Sequence, residues 1–224
     1  MAPIGSPQTH AAEAMVMSPT PSQHCGDDFR DLLEVSYRRH ALVQLTAGSR
    51  VPLLKHNFWL VVRGMVRLGA ITIHGDETLL GLAGPNEPFG DPLGAVLAYQ
   101  ATTLTDTDLL CLPAQDLRSE PRLAAAMLEA VMQRYRQSQS LLALMALRRV
   151  EERVRGFLEL LVSDYGQPCD QGLRLHVRLT HQDIANAVGT TRVTVTRVIG
   201  QLRQQGWLSF DDERRLVVSH LPSR

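Results

Sequence analysis

Arg192 and Arg197 stand five residues apart in the run Thr190-Thr191-Arg192-Val193-Thr194-Val195-Thr196-Arg197. Both fall in the first turns of a helix, from which both can project toward the groove side. A guanidinium fork pairs in a bidentate way with guanine O6 and N7 in a major groove. Val193 between the arginines offers methyl contact to thymine. Thr180, Gln182, Thr191 and Thr194 carry hydroxyl and amide groups suited to phosphate oxygens, and helix N-terminal amides add donors there. These residue types suit recognition of double-stranded DNA, with Arg192, Val193 and Arg197 toward base edges and the other four toward phosphates. The competing reading is an ordinary helical hairpin with a solvated charged face.

The elements that must position these side chains are legible around them. Thr180 is a natural N-cap, and Asp183 three residues later completes a capping box. Ile184, Ala185 and Val188 give that short helix an apolar face, and Gly189 supplies a permissive turn residue. Thr190 or Thr191 then caps a second helix from Arg192 to about Gln204, with Val195, Val198, Ile199 and Leu202 pointing inward. Helix, tight glycine turn and helix, with small Ala185 where the two approach, is the pattern of a DNA-binding helix-turn-helix. Capping, turn, apolar spacing and local charge agree, which favours DNA over the solvated hairpin.

Downstream, Trp207-Leu208-Ser209-Phe210 and Leu216-Val217-Val218 alternate around the acidic turn Asp211-Asp212-Glu213 and predict a hairpin, or wing. Trp207 reads as a core anchor. Arg214 and Arg215 either touch phosphate or pair with the adjacent acids. Upstream, Val150–Tyr165 predicts a helix with Val154, Phe157, Leu158, Leu161 and Val162 inward, ended by Gly166-Gln167-Pro168; Leu173–Leu179 predicts a short strand.

The chain has 224 residues, 44% hydrophobic and 21% charged, with 23 basic and 23 acidic side chains. That composition fits a globular protein able to bury real cores, and excludes a collagen, a disordered polyelectrolyte and a disulfide scaffold. The balanced charge is unevenly placed: residues 172–210 hold 5 basic and 1 acidic side chains. A short positive stretch is the electrostatic footprint of a nucleic-acid-binding module. No apolar run reaches the roughly 18 residues of a membrane span, so no membrane partner is expected. The scattered cysteines Cys25, Cys111 and Cys169, with no export signal ahead of them, predict reduced thiols and a cytoplasmic location.

The rest of the chain divides by pattern. Residues 1–26, rich in Pro, Ser and Ala, predict a disordered tail, and a short amphipathic helix is expected at Asp27–Arg39. Short apolar runs at Ala41–Leu45, Phe58–Arg63, Met65–Ile73, Glu77–Leu82 and Thr107–Leu112, broken by turn signals, predict a sandwich or barrel. From Pro121 to Leu147 there is no glycine and no further proline. Leu128, Val131, Tyr135, Ser138, Leu142 and Met145 recur there at alternating steps of three and four, an a/d seam over about three heptads. A two-stranded dimer helix is the preferred reading; a core helix packed on its own β domain is the alternative.

The order of β domain, long helix and winged helix-turn-helix resembles the cyclic-AMP receptor protein and FNR family of bacterial regulators. The carriers are Asp164-Tyr165-Gly166-Gln167-Pro168-Cys169 and Val188-Gly189-Thr190-Thr191-Arg192-Val193-Thr194-Val195-Thr196-Arg197. Val193, where the cyclic-AMP receptor branch has glutamate, resembles the branch of the cyanobacterial global nitrogen regulator. The resemblance implies an α+β fold: a cupin-like β-roll sensor domain (27–119), a dimerisation helix (120–147) and a winged helix-turn-helix DNA-binding domain (148–224). It also implies a homodimeric transcription activator that binds GTA and TAC half-sites and meets RNA polymerase.

The family's effector pocket maps onto Phe89, Gly90, Asp91, Tyr99, Arg134, Ser138 and Gln139. Its phosphate-binding arginine is missing, since Arg67 is the one arginine from Met65 to Leu117. A buried anion without a cationic partner is costly. Neither cyclic AMP nor 2-oxoglutarate is therefore expected as a ligand. In the 2-oxoglutarate pocket Arg134 matches the basic residue, but Gln139 stands where an acid is needed. No metal is expected, because an iron–sulfur cluster needs four placed thiolates. No nucleophile elbow, P-loop, zincin motif or paired catalytic carboxylate appears, so no enzymatic activity is expected. The alternative function is a degenerate sensor that acts as a protein-interaction module through another regulator.

Overall fold

Residues 40, 42–96 and 98–219 are described by a computed structural model; the tail read at 1–26 and the helix read at Asp27–Arg39 lie outside them. The N-terminal part is built from β1 (Leu42–Leu45), β2 (Asn57–Arg63), β3 (Val66–Ile71), β4 (Glu77–Ala83), β5 (Pro88–Phe89), β6 (Tyr99–Thr103) and β7 (Thr107–Pro113). They form antiparallel sheets ordered β1-β7-β2-β5 and β4-β3-β6. The run Phe58-Trp59-Leu60-Val61 is unbroken because β2 buries both faces. Trp59 and Val61 pack with Val66, Leu68, Phe89, Ala101 and Leu109, while Phe58 and Leu60 join Leu110, Leu112, Leu123 and Met127. Side chains that alternate across a strand thus serve two different cores.

The predicted strands are present within one residue, except that β3 ends at Ile71, two residues early, since Thr72 turns the chain by accepting the amides of His74 and Asp76. Two strands carry no apolar signal. β5 is two residues long, and β6 turns only Ala101 and Thr103 inward.

After the single turn α1 (Asp116–Ser119), Pro121 opens the long helix α2 (Pro121–Met145), where its missing N–H costs nothing. The helix stops two residues short of Leu147, because the Ala146 and Leu147 amides bond three residues back instead of four. α3 (Val150–Tyr165) follows, as predicted. Gly166-Gln167-Pro168 does more than end it: Gly166–Cys169 forms β8, paired with β9 (Gly172–Leu175). The expected strand at Leu173–Leu179 therefore shortens. α4 (His181–Val188), α5 (Arg192–Gln204), β10 (Leu208–Phe210) and β11 (Leu216–Val218) complete the chain, in a sheet ordered β10-β11-β9-β8. The architecture is α+β, with a β domain, a long helix and a winged helix-turn-helix.

The two halves share one core. Met65, Leu79 and Leu82 of the β domain pack with Val154, Phe157, Leu161, Ile184, Val188 and Val198. A polar node lies beside it. β4 is an edge strand, and the peptide of Leu82 meets side chains from both long helices in place of another strand. Its N–H donates to Gln137 Oε1 at 3.2 Å, and its carbonyl accepts from Arg134 Nη1 and lies 2.9 Å from the Tyr165 hydroxyl. Gln137 is 4% exposed and uses its whole amide. Oε1 also accepts from Arg134 at 2.7 Å, and Nε2 donates to Asp164 at 3.1 Å and to the Tyr165 oxygen at 2.7 Å. Tyr165 in turn lies 2.7 Å from Glu87 Oε2, which accepts the Gly84 amide at 2.8 Å.

Gly84 makes this approach feasible. A Cβ there would stand 2.8 Å from the Tyr165 ring. Gly84→Ala is expected to cost about 1–3 kcal/mol of stability by overpacking, read as a lower urea midpoint. Burial pushes the Glu87 carboxyl above its ordinary 4.5, and the Arg134 charge and the bonds from Gly84 and Tyr165 offset this only in part. A raised carboxyl contributes stability that is full below pH 4.5 and is lost as pH rises through the folded value. Glu87→Gln keeps an acceptor for Gly84 and removes the charge. It is expected to abolish that loss and to raise Tm at pH 7 relative to the wild-type chain; an unchanged pH profile in thermal melts would refute the assignment.

Candidate nucleic-acid interface

The helix pair is fixed from its ends inward. Thr180 Oγ1 accepts the Asp183 amide at 3.1 Å, and Asp183 Oδ2 accepts the Thr180 amide at 2.9 Å, so both halves of the capping box are made. Gly189 ends α4 in the left-handed region, at φ 61° and ψ 54°, where a side chain is strained. Thr191, rather than Thr190, then caps α5, with its Oγ1 accepting the Thr194 amide at 3.2 Å. Val195, Val198, Ile199 and Leu202 are buried against α3 and α4 as the spacing required.

That burial leaves the opposite face of α5 outward. Arg192, Val193, Thr196 and Arg197 are exposed on it, Val193 at 79%. A valine so bare between two arginines gives the helix no packing energy, but presents two methyl groups beside two forks of N–H donors. Arg197 Nη1 donates to Gln201 at 3.2 Å, which holds one of the forks along the helix. Thr191 and Thr194 hydroxyls lie 2.9 Å apart at the N-terminus of α5. Gln182 is exposed on α4 and donates to Asn186 at 2.7 Å.

The hydroxyl of Thr180 is engaged as a donor to Asp183 Oδ2 at 2.6 Å. A phosphate at that helix end therefore meets backbone amides first. The sequence reading missed His181. Its Nδ1 lies 2.8 Å from Thr196 Oγ1, joining the start of α4 to the outward face of α5. Desolvation and the neighbouring Arg192 charge hold its pKa below 6.5. Its place directly after the cap was the available signal.

The wing divides its arginines. Arg215 is bound to Asp211 at 2.7 Å and to Glu213 at 3.0 Å, while Arg214 is exposed at φ 59°. The adjacent acids thus take Arg215. Trp207 is buried in the core as expected, with the Arg155 guanidinium 4.9 Å from its ring centroid.

An open cleft of about 560 Å³ lies between the β domain and α2. It gathers Phe89, Tyr99, Arg134 and Ser138 of the residues mapped to an effector pocket, beside Leu79, Leu93, Val96, Leu141 and Leu142. It does not gather Gly90, Asp91 or Gln139. At Gly90 the backbone passes so close to β2 that a Cβ would lie 2.8 Å from the Asn57 carbonyl, and Asp91 then opens a short 3-10 turn facing solvent. Gln139 falls on the exposed side of α2, bonded to Tyr135 at 3.1 Å. Gln137, two residues earlier, is the amide that turns inward, and the a/d pattern gave no hint of it. Among the described residues Arg134 is the one charged side chain lining the cleft, and its charge already faces Glu87 and Asp164. No cluster of three or more His, Cys, Asp or Glu suited to a metal occurs among the described residues. None of their helices is long and apolar enough to cross a membrane.

Residues 152–222 match the Crp-like helix-turn-helix domain. The global nitrogen regulator of Nostoc sp. (strain PCC 7120) is 32% identical over 174 residues, 73% of this chain and 77% of that protein. Regulatory protein CysR of Synechococcus elongatus is 33% identical over 182 residues, 79% of this chain and 84% of that protein. Among solved structures, FixK2 from Bradyrhizobium japonicum superposes with a TM-score of 0.68 at 20% identity, covering 81% of this chain and 93% of that one.

The exposed arginine face generates a direct expectation. Arg197→Ala should weaken binding to a preferred duplex by about 1–3 kcal/mol and relax the preference for the base it meets. Titration against a panel of single-base variants reads both effects, and unchanged affinity and selectivity would remove Arg197 from the reading face.

Proposed function

This chain belongs to the cyclic-AMP receptor protein and FNR family of DNA-binding transcription regulators, and from that membership we propose that it binds a palindromic promoter site as a homodimer without a cyclic nucleotide. The observation that carries this reading is the outward face of α5. Two arginines and a bare valine stand there on a helix whose other face is buried. Arg192 and Arg197 read guanine edges, Val193 meets a thymine methyl, and Thr191, Thr194, Gln182 and the α4 N-terminus hold phosphates.

Two further features support the assembly and the missing effector. Leu128, Tyr135 and Leu142 are 61%, 64% and 73% exposed along α2, at seam positions. Large apolar side chains repeated on one bare helix face are the signature of a helix that packs on another. A second copy there makes a two-fold dimer and places its reading helices about 34 Å apart, one turn of DNA. In the cleft, Arg134 is engaged by the Leu82 carbonyl and Gln137. A cyclic phosphate would have to displace those partners to obtain a counter-charge.

The test is titration of the purified protein with a GTA-N8-TAC duplex and a scrambled duplex at two salt concentrations. It is run alone and then with cyclic AMP or 2-oxoglutarate. Specific binding without ligand is expected; binding no tighter than to scrambled DNA under all conditions would overturn the proposal. Leu128→Glu on the seam is expected to give monomers in sedimentation and to weaken operator binding about a hundredfold, because two linked half-site contacts become one.

A further inference from the structure

α4, the first helix of the reading pair, is tied to the β domain as well as to α5. Arg67 on β3 places Nη1 3.1 Å from Asp183 Oδ1 and 3.2 Å from Glu77 Oε2. Asp183 is the capping-box carboxylate, so its two oxygens do two jobs. Oδ2 orders the start of α4 through Thr180, while Oδ1 holds the helix to β3. Arg67 and Asp183 side chains are 25% and 12% exposed, which limits the solvent screening of their attraction. A second, longer tether runs from Asn186 Nδ2 to Glu77 Oε2 at 3.5 Å. Beside them, Leu79 and Ala187 are both buried in the shared core.

We propose that Arg67 is a positioning residue, whose bridge to Asp183 and Glu77 holds α4 on the β3–β4 hairpin and so sets the reading helices for DNA without a ligand. The proposal rests on the operator reading above. The residues between α2 and α3, Ala146 to Arg149, are a short connection, and a chain link alone leaves the orientation of the C-terminal domain loosely fixed. Contacts far from that link fix orientation with the longest lever. Arg67 supplies such a contact to the helix end that faces phosphate, and DNA binding by a dimer depends on both reading helices meeting grooves at a set spacing. Loss of Arg67 also leaves the Asp183 carboxylate without its counter-charge.

The experiment compares wild-type, Arg67→Ala and Arg67→Lys chains by two readouts. Amide hydrogen exchange without DNA reports docking of α4 on β4, and titration with the GTA-N8-TAC duplex reports reading geometry. Arg67→Ala should exchange faster at both elements and bind about tenfold more weakly, the scale expected when each of two subunits loses one partly exposed ion pair. Thermal melts should show it still folded, and Arg67→Lys should recover part of the affinity. Combining Arg67→Ala with Asp183→Asn should cost less than the sum of the two. Unchanged exchange in Arg67→Ala overturns the docking role. Faster exchange with equal or tighter operator binding overturns the positioning role and marks the contact as restraining instead. A wild-type chain that shows no specific DNA binding overturns the operator reading, and the positioning role with it, whatever exchange reports.

Discussion

Leu82 lies on a strand edge with no strand beyond it among the described residues, and its peptide still has both hydrogen-bonding groups satisfied. An open edge invites pairing with another chain, and a buried unpaired peptide is costly. Here Gln137 from α2 and Tyr165 from α3 take the place of the absent strand. The consequence reaches beyond β4. Because the same amide that satisfies Leu82 also bonds Asp164 and Tyr165, the β domain, the long helix and the C-terminal domain meet at one buried point. The node is costly to disturb because Gln137 has no spare donor or acceptor, so the loss of one partner strands another. It also explains the sequence Asp164-Tyr165-Gly166. The acid and the phenol face the node, and the glycine starts the strand that turns away from it.

The outward face of α5 follows from a simpler constraint. A thirteen-residue helix that buries Val195, Val198, Ile199 and Leu202 has no freedom in where Arg192, Val193 and Arg197 point. The capping box and the left-handed Gly189 then fix the angle between the two helices. Charge plays its part afterwards, on a shape that packing has already set. The wing shows the converse. Arg215 lies in the hairpin that follows α5, yet Asp211 and Glu213 occupy it, so a basic residue near a helix-turn-helix is not by that alone free to meet a phosphate.

The cleft shows how one engaged charge changes a site's chemistry. Its walls are mostly apolar, and the single arginine on them is turned toward a backbone carbonyl and an amide, between two carboxylates. Burial raises the Tyr99, Asp164 and Tyr165 pKa values, and the Arg134 charge opposes that rise in each. Domain coupling here runs through side chains of the protein itself, in the node and in the Arg67 bridge.

The sequence by itself determined the elements whose signals are local. Capping residues, the glycine turn, helical periodicity and apolar runs specified both helices of the helix-turn-helix, α3, the long helix and most strands, and they named the outward arginines. Such signals act between residues a few positions apart, so one chain displays them without its partners. Gln137 and Glu87 carried no such signal. On a helix surface or in a turn each reads as an ordinary polar residue, and the burial of each is created by strands and helices distant in the chain. The same holds for Arg67, 116 positions from the carboxylate it meets, and for Gln139, whose neighbour two residues back took the inward place. β5 and β6 were silent because pairing, not apolar content, makes them strands. Tertiary structure alone decided which polar groups are sealed from water, and therefore which ones join the two domains. Desolvation is a property of the assembled fold and is absent from any local stretch of sequence.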